Sequence, residues 1–248
     1  MIFSTGVIAR FKESHPSTKF KLVVSHPSCF EEKVQSRFSL LDFPCVWVMY
    51  EHFDFSFLRR GDKHISRIMA DFLSLQPDVN LNYKVPFKKP PFNKGEEGLV
   101  VIHPQAGGWN TGRNWSLKKW EQLVHKLRNH GFEVCQIGIK DDSLIPLAID
   151  FRGKLDIQES FGLIKQADVF VGVNSFAEQA AAAFGIQSVI IYGPTNPIYS
   201  LNPNQVAVYG KDYVEWGSLN TLHYDFPLTE SIDVETVYSA VIKMLHRK

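Results

Sequence analysis

The amino-acid sequence predicts an α/β fold class built on a parallel, doubly wound sheet. Two observations carry this expectation. Five-residue apolar runs recur at LVVIH (99–103), VFVGV (169–173) and SVIIY (188–192), with helical spacings and capping signals between them. Runs that are apolar without alternation suit strands covered on both faces, as parallel sheets are.

Leu99 to His103 reads as a buried strand, and Ser116 then opens a helix with Trp120, Leu123, Val124 and Leu127 on one face. Gly131 stops that helix in a left-handed cap position. Phe132 to Ile139 follows as a strand. Asp156, with Glu159 three residues on, makes a capping box for a helix reaching Ile164. Val169 to Val173 is a strand, Phe176 to Phe184 a helix halted by Gly185, and Ser188 to Tyr192 a further buried strand. Val234 to Leu245 closes the fold as a helix with Val237, Val241 and Leu245 at helical spacing.

The charged segment KKPPFNKGEEG (88–98) holds two adjacent prolines and no apolar period, so it continues neither a helix nor a central strand. It divides the chain into residues 1–92 and 98–248. The first part reads as a helix from Ile2 to Glu13, strands at Phe20 to Ser25 and Phe43 to Tyr50, and a helix from Asp62 to Leu75. It opens on a helix, where a nucleotide-binding α/β lobe opens on a strand.

Composition sets outer bounds. With 248 residues, 44% hydrophobic and 21% charged, the chain can bury one good core or two small ones, which excludes disorder and fibre. Twenty-seven basic against 26 acidic residues leave a net charge of +1, so no nucleic-acid partner is expected. Cys29, Cys45 and Cys135 are odd in number and at no metal-ligand spacing, which fits buried thiols in a reducing compartment. No signal-peptide layout and no apolar stretch near the roughly 18 residues that span a bilayer are present, so a cytoplasmic protein is expected. Peripheral association with a membrane surface remains open.

Ligands of open α/β sheets bind beyond the carboxyl ends of the strands. Three loops meet that description. In HPQAGGWNTGRNW (103–115), Gly107 and Gly108 let backbone approach a ligand and Arg113 offers a fork of donors to phosphate; the alternative is a glycine-rich turn with a solvated arginine. In VNSFAE (173–178), Asn174, Ser175 and the following helix amides suit a pyrophosphate; the alternative is a simple helix cap. In GPTNP (193–197), the Thr195 hydroxyl suits a phosphate or ribose, or the turn is purely structural.

These segments in order, HPQAGG, RNWSLKKWEQL, IGIKDD, ADVFVGVNSFAEQAAAAFG and SVIIYGPTNP, resemble the nucleotide-sugar lobe of the heptosyltransferases, glycosyltransferase family 9, over residues 98 to 200. FSTGVIARFKESHPSTKFKLVVSHP resembles, more weakly, the start of the family's first lobe. The resemblance implies a GT-B-like fold of two Rossmann-like lobes: a shortened acceptor-side lobe (1–92) lacking its first strand, and a donor-binding lobe (98–248). It implies inverting transfer of heptose or another sugar from a nucleotide-diphosphate donor to a lipopolysaccharide-type or lipid-linked glycan, without metal or other cofactor. It places Ala106, Gly107, Asn174, Ser175, Phe176 and Thr195 in donor-contact loops, Arg113 at the phosphates and Asp141 near the ribose.

Two departures qualify this. Where the family shows Asp-Ser/Thr-Gly and then a His, this chain has Asn174, Ser175, Phe176 and Gln179, losing a charge and an imidazole. The Asp expected as catalytic base would fall upstream of Met1, so either the sequence is truncated or this base is lost; His26, His52 and His64 are substitutes to consider, with Asp54 and Asp62 no better placed. A catalytically silent nucleotide-sugar-binding protein and a two-lobed sugar-nucleotide epimerase are the competing expectations.

Overall fold

The computed structural model describes residues 11, 13–17, 64, 67, 85–106, 111–193, 195–210 and 229–246. Phe11, Glu13 and Ser14 are helical, at the end of the expected first helix. Of the expected helix Asp62 to Leu75, His64 and Arg67 are described, with Arg67 helical and its N–H on His64 O (2.9 Å). Both expected strands, His26, His52, Asp54, Asp62, Cys29 and Cys45 lie outside the described residues, as do Gly107 and Gly108.

Six described strands form one parallel sheet in the order β3-β2-β1-β4-β5-β6. They are β1 (Leu99–His103), β2 (Glu133–Gln136), β3 (Ile149–Asp150), β4 (Val169–Val173), β5 (Ser188–Tyr192) and β6 (Gln205–Tyr209). The helices are α1 (Leu117–Asn129), α2 (Ile157–Gln166), α3 (Phe176–Ala183) and α4 (Val234–Leu245). The strand order reverses between β1 and β4, and at such a switch point the flanking loops part and leave a crevice.

The sheet is covered on both sides, and alternate residues of each strand serve opposite layers. Val100, Ile102, Val169, Val171, Val189 and Ile191 pack with α1 and α4, whereas Leu99, Val101, Phe170, Ile190 and Tyr192 pack with α2 and α3. All 11 are fully buried. That two-sided burial explains why the strands read as unbroken apolar runs.

The helix ends follow the sequence signals. Gly131 (φ +91°) closes α1 in a Schellman motif: its N–H reaches Arg128 O (3.0 Å) and the Phe132 N–H reaches Leu127 O (3.1 Å). Gly185 (φ +70°) ends α3 in the same way. At α2 both halves of the capping box form, Glu159 N to Asp156 Oδ1 and Asp156 N to Glu159 Oε2, each 2.8 Å. Ser116 holds the N-cap position of α1 but makes no side-chain capping bond. In α4, Met244 is buried with Val237 and Val241, and Leu245 is only half-buried. The second strand is shorter than Phe132 to Ile139, because Gly138 turns the chain at φ +153° where a Cβ would lie 2.2 Å from Asp142 Oδ2.

Residues 85–98 carry no helix or strand, as the prolines require, but lie along α2. The Lys88 N–H donates to Gln158 O (3.0 Å), and a Cβ on Gly162 would stand 1.8 Å from Lys88 O. Val85 and Phe92 join the α2 side of the core. Gly162 is therefore the groove in which this segment sits.

Candidate functional site

All three loops singled out in the sequence leave the carboxyl edge of the sheet, after β1, β4 and β5, and they touch. His103, the last residue of β1, is buried and its Nδ1 lies 3.0 Å from Ser175 Oγ at the end of β4. Arg113 closes the 3-10 turn Thr111–Arg113, and its Nη1 donates to Asn174 O at 3.4 Å. Gly193, just past β5, faces that turn so closely that a Cβ would lie 2.2 Å from Gly112 O and 3.0 Å from Arg113 Cα. Thr195 is buried two residues on.

The turn bearing Arg113 is anchored from several sides. Ala106 N donates to Asn114 Oδ1 (3.0 Å), Thr229 Oγ1 to Asn114 O (2.7 Å) and Trp115 Nε1 to Ile232 O (3.0 Å). Trp115 in turn packs edge-on against Trp120 of α1. A guanidinium on a turn held this way loses little freedom when it meets an anion, which is the purpose of preorganisation. Ala106, Arg113, Asn174, Ser175, Phe176 and Thr195 thus share one edge of the molecule. Phe176, at the first position of α3, is 46% exposed and stands edge-on to His103 (centroids 5.6 Å apart). Asp141 is exposed in the loop after β2, whereas its neighbour Asp142 accepts from Ile139 N (2.9 Å).

Behind the surface loops lies a buried polar network that the sequence reading did not anticipate. Its centre is Glu178, fully buried at the third position of α3. Its Oε2 accepts from Asn174 Nδ2 (2.7 Å) and Ser175 N (3.3 Å), and its Oε1 accepts from the Tyr192 hydroxyl (2.6 Å). Burial pushes the Glu178 pKa up to about 7, against the opposing pull of those three hydrogen bonds and of the Arg113 charge. Burial likewise raises Tyr192 well above the usual phenol range and pushes His103 down to about 4, so His103 is neutral.

The network continues through Ser200, whose Oγ lies 2.8 Å from the Tyr192 hydroxyl and 3.0 Å from Asn174 Nδ2. Gln179, where the family's histidine is expected, donates to Ser200 O (3.1 Å) and accepts from Asn202 Nδ2 (3.0 Å). His64 hydrogen-bonds the Ser200 backbone, and burial lowers its pKa. Of the three histidines considered as substitute bases, His64 is the one among the described residues, and it touches this network. The signal for Glu178 was present in the sequence as Ser175-x-x-Glu178, the spacing of a capping box.

Asn174 therefore directs its amide inward, away from solvent, and the Asp-to-Asn difference is matched by a carboxylate one helical turn later. The arrangement can receive an anion at the first turn of α3 with Arg113 beside it. A cavity of about 610 Å³ lies elsewhere, between α1 and α4, and is lined in part by Glu121, His125, Lys126, Leu147 and Glu235. Its two carboxylates disfavour a diphosphate, and Lys126 is already paired with Glu235 (2.7 Å).

The family model for glycosyltransferase family 9 (heptosyltransferase) matches residues 71–215, more than half of the chain and all three loops. The chain belongs to glycosyltransferase family 9. It is 32% identical over 135 residues to the autotransporter heptosyltransferase TibC of Escherichia coli O78:H11, and 24% identical over 163 residues to lipopolysaccharide heptosyltransferase 3 of Escherichia coli. Those matches cover 49% and 60% of this chain but only 32% and 47% of the relatives, so the chain spans a third to a half of their length.

Solved family 9 structures share the fold. The iron-containing dodecameric glycosyltransferase TibC from enterotoxigenic E. coli superposes with a TM-score of 0.62 at 22% identity, covering 77% of this chain and 54% of that one. E. coli ADP-heptose lps heptosyltransferase II gives 0.57 at 13%, covering 75% and 63%. The GT-B-like α/β architecture expected from the sequence is thus that of the family. Among the described residues no group of three or more His, Cys, Asp or Glu is close enough to hold a metal ion, and no helix is long and apolar enough to cross a membrane.

Proposed function

We propose that residues 98–248 form the donor-binding lobe of a family 9 glycosyltransferase, which takes a nucleotide-diphosphate sugar and transfers the sugar, with inversion and without metal, to a glycan hydroxyl. The single observation behind this is the convergence of the Arg113 turn, the start of α3 and the Gly193 turn at one sheet edge. Departure of the nucleoside diphosphate builds negative charge on its oxygens in the transition state, and preorganised donors lower that barrier. Arg113 and the first amides of α3 are the donors available here. Ser175, Phe176, Thr195 and Ala106 would shape the site, and Asp141 is offered to the ribose.

The donor proposed is ADP-heptose, because TibC, a member of the same family, was solved in complex with ADP-D-β-D-heptose. A lipopolysaccharide-type or other glycan acceptor is proposed from the name of the second relative. The cytoplasm, or a membrane surface facing it, is the working place that goes with a nucleotide-sugar donor. His64 is the proposed base among the described residues, since it adjoins the donor network at Ser200 and burial lowers its pKa, which favours the proton-accepting form.

Thermal-shift titration with ADP-, UDP-, GDP- and CMP-sugars, repeated on Arg113→Ala, tests the reading. The ADP-sugar is expected to raise the melting temperature of the wild-type protein and not of the variant. If no nucleotide stabilises the protein, the donor-lobe proposal fails; if Arg113→Ala responds equally, the phosphate role of Arg113 fails.

A further inference from the structure

Glu178 poses a problem for the donor site proposed above, and its solution is an inference that rests on that reading. A dinucleotide-type diphosphate diester carries two negative charges at neutral pH. Among the described residues the place offered to it holds one cation, Arg113, and a fully buried carboxyl group that already accepts from Ser175 N at the N-cap of α3. Like charges brought together in a poorly hydrated interior repel strongly, and the least costly relief is to neutralise the one that can titrate.

We infer that Glu178 is a proton-accepting partner of the donor diphosphate: its carboxylate takes one proton from solvent as the diphosphate binds, leaving Arg113 and the start of α3 to the phosphate oxygens. The hydrogen-bond geometry names the atom that receives the proton. Oε2 is met by two N–H donors, Asn174 Nδ2 and Ser175 N, neither of which can accept. Oε1 is met by the Tyr192 hydroxyl (2.6 Å), which can. On protonation of Oε1 the Tyr192 hydroxyl turns its hydrogen to Ser200 Oγ, 2.8 Å away. Neither form leaves Glu178 or Tyr192 without a partner; the bond that reverses is the one between Tyr192 and Ser200, whose hydroxyl donates to Tyr192 beside the carboxylate and accepts from it beside the acid.

The surrounding groups leave this role to Glu178. Arg113, from the 3-10 turn, is the cation that acts on it; His103, from β1, is held neutral by burial; Tyr192, from β5, keeps its proton. His64 reaches the network through the Ser200 backbone. From α2, Glu159 is engaged by Asp156 N and Lys165 lies 3.6 Å over the Phe87 ring. The strand β4 brings no ionisable side chain. Burial already holds Glu178 near neutrality before ligand arrives, so a second negative charge nearby suffices to protonate it.

Isothermal titration with ADP-ribose, whose two phosphates stay ionised between pH 6 and 8, provides the test. Runs at both pH values, each in two buffers of different ionisation heat, count protons. Wild-type protein is expected to take up close to one proton at pH 8 and to bind about tenfold more weakly there than at pH 6, the change in neutral fraction for a group near pH 7. Glu178→Gln, which mimics the neutral acid, is expected to bind equally at both pH values with no uptake. Tyr192→Phe removes a bond that favours the anion and is expected to move the transition to higher pH and to lower the uptake at pH 8 below the wild-type value, which gives a second route if Glu178→Gln does not fold. Binding by wild type without proton uptake, or uptake that persists in Glu178→Gln, overturns the inference alone. No binding by wild type at either pH overturns the donor-site reading and the inference with it.

Discussion

Replacing Gly193 with Ala adds one methyl group at the point where the β5 loop meets the Arg113 turn. The new Cβ would stand 2.2 Å from Gly112 O and 3.0 Å from Arg113 Cα. Both are backbone atoms of a turn tied to Ala106, Thr229 and Ile232 through Asn114 and Trp115, so no flexible side chain can swing aside. Overpacking of this kind costs about 1–3 kcal/mol. In a chain of this size each kcal/mol lowers the melting temperature by about 2–4 °C, so a fall of roughly 2–12 °C is expected. The turn must move, and Arg113 with it. Losing a charge-assisted contact of about 1.5–3 kcal/mol weakens ADP-ribose binding about tenfold to a hundredfold. Thermal melts and titration calorimetry on the same preparation read both effects. An alanine variant with unchanged melting temperature and unchanged affinity would refute the claim that this close approach builds the site.

Further outcomes concern the scaffold and its titrating groups. Gly162→Ala is expected to expel Lys88 O from its groove on α2 and make residues 85–98 the first site of proteolytic cleavage; equal protease resistance would count against that docking. Asp156→Ala removes half of a capping box and should cost about 1 kcal/mol in urea unfolding, with the exposed Lys88 pair adding little. Between pH 7 and 5 the contributions of His103 and Glu178 to wild-type stability should nearly cancel. His103, held to about 4 against 6.5 in the unfolded chain, loses stability as pH falls, by about 2 kcal/mol over that range. Glu178, held at about 7 against 4.5, gains a similar amount as pH falls and loses it as pH rises through 7. Glu178→Gln should therefore expose a loss of about 2 kcal/mol from pH 7 to 5 that wild type hides. A flat profile in the variant would contradict the His103 contribution.

What could be foreseen depended on whether a signal was local. The strands β1, β4 and β5 were legible because burial on both faces writes itself as an unbroken apolar run. The ends of α1, α2 and α3 were legible because Gly131, Asp156 with Glu159, and Gly185 act within a turn of their own position. β3 was not, since two residues carry no periodicity, and β6 lies at the sheet edge where its burial alternates irregularly. The three loops followed from the rule that ligands gather at strand ends, but the network behind them did not. Tyr192 reaches Glu178 across 14 positions of sequence and Ser200 reaches Asn174 across 26, and no short spacing foretells such a meeting. Asn174 was read as facing the ligand; its amide faces inward because Glu178 is there to receive it.

A crystal structure of the protein with ADP-ribose tests the shared donor site most directly. The diphosphate is expected at the carboxyl edge of β1, β4 and β5, with phosphate oxygens within hydrogen-bonding distance of Arg113 and of the first amides of α3. A nucleotide seated in the cleft between α1 and α4, with Arg113 untouched, would contradict it.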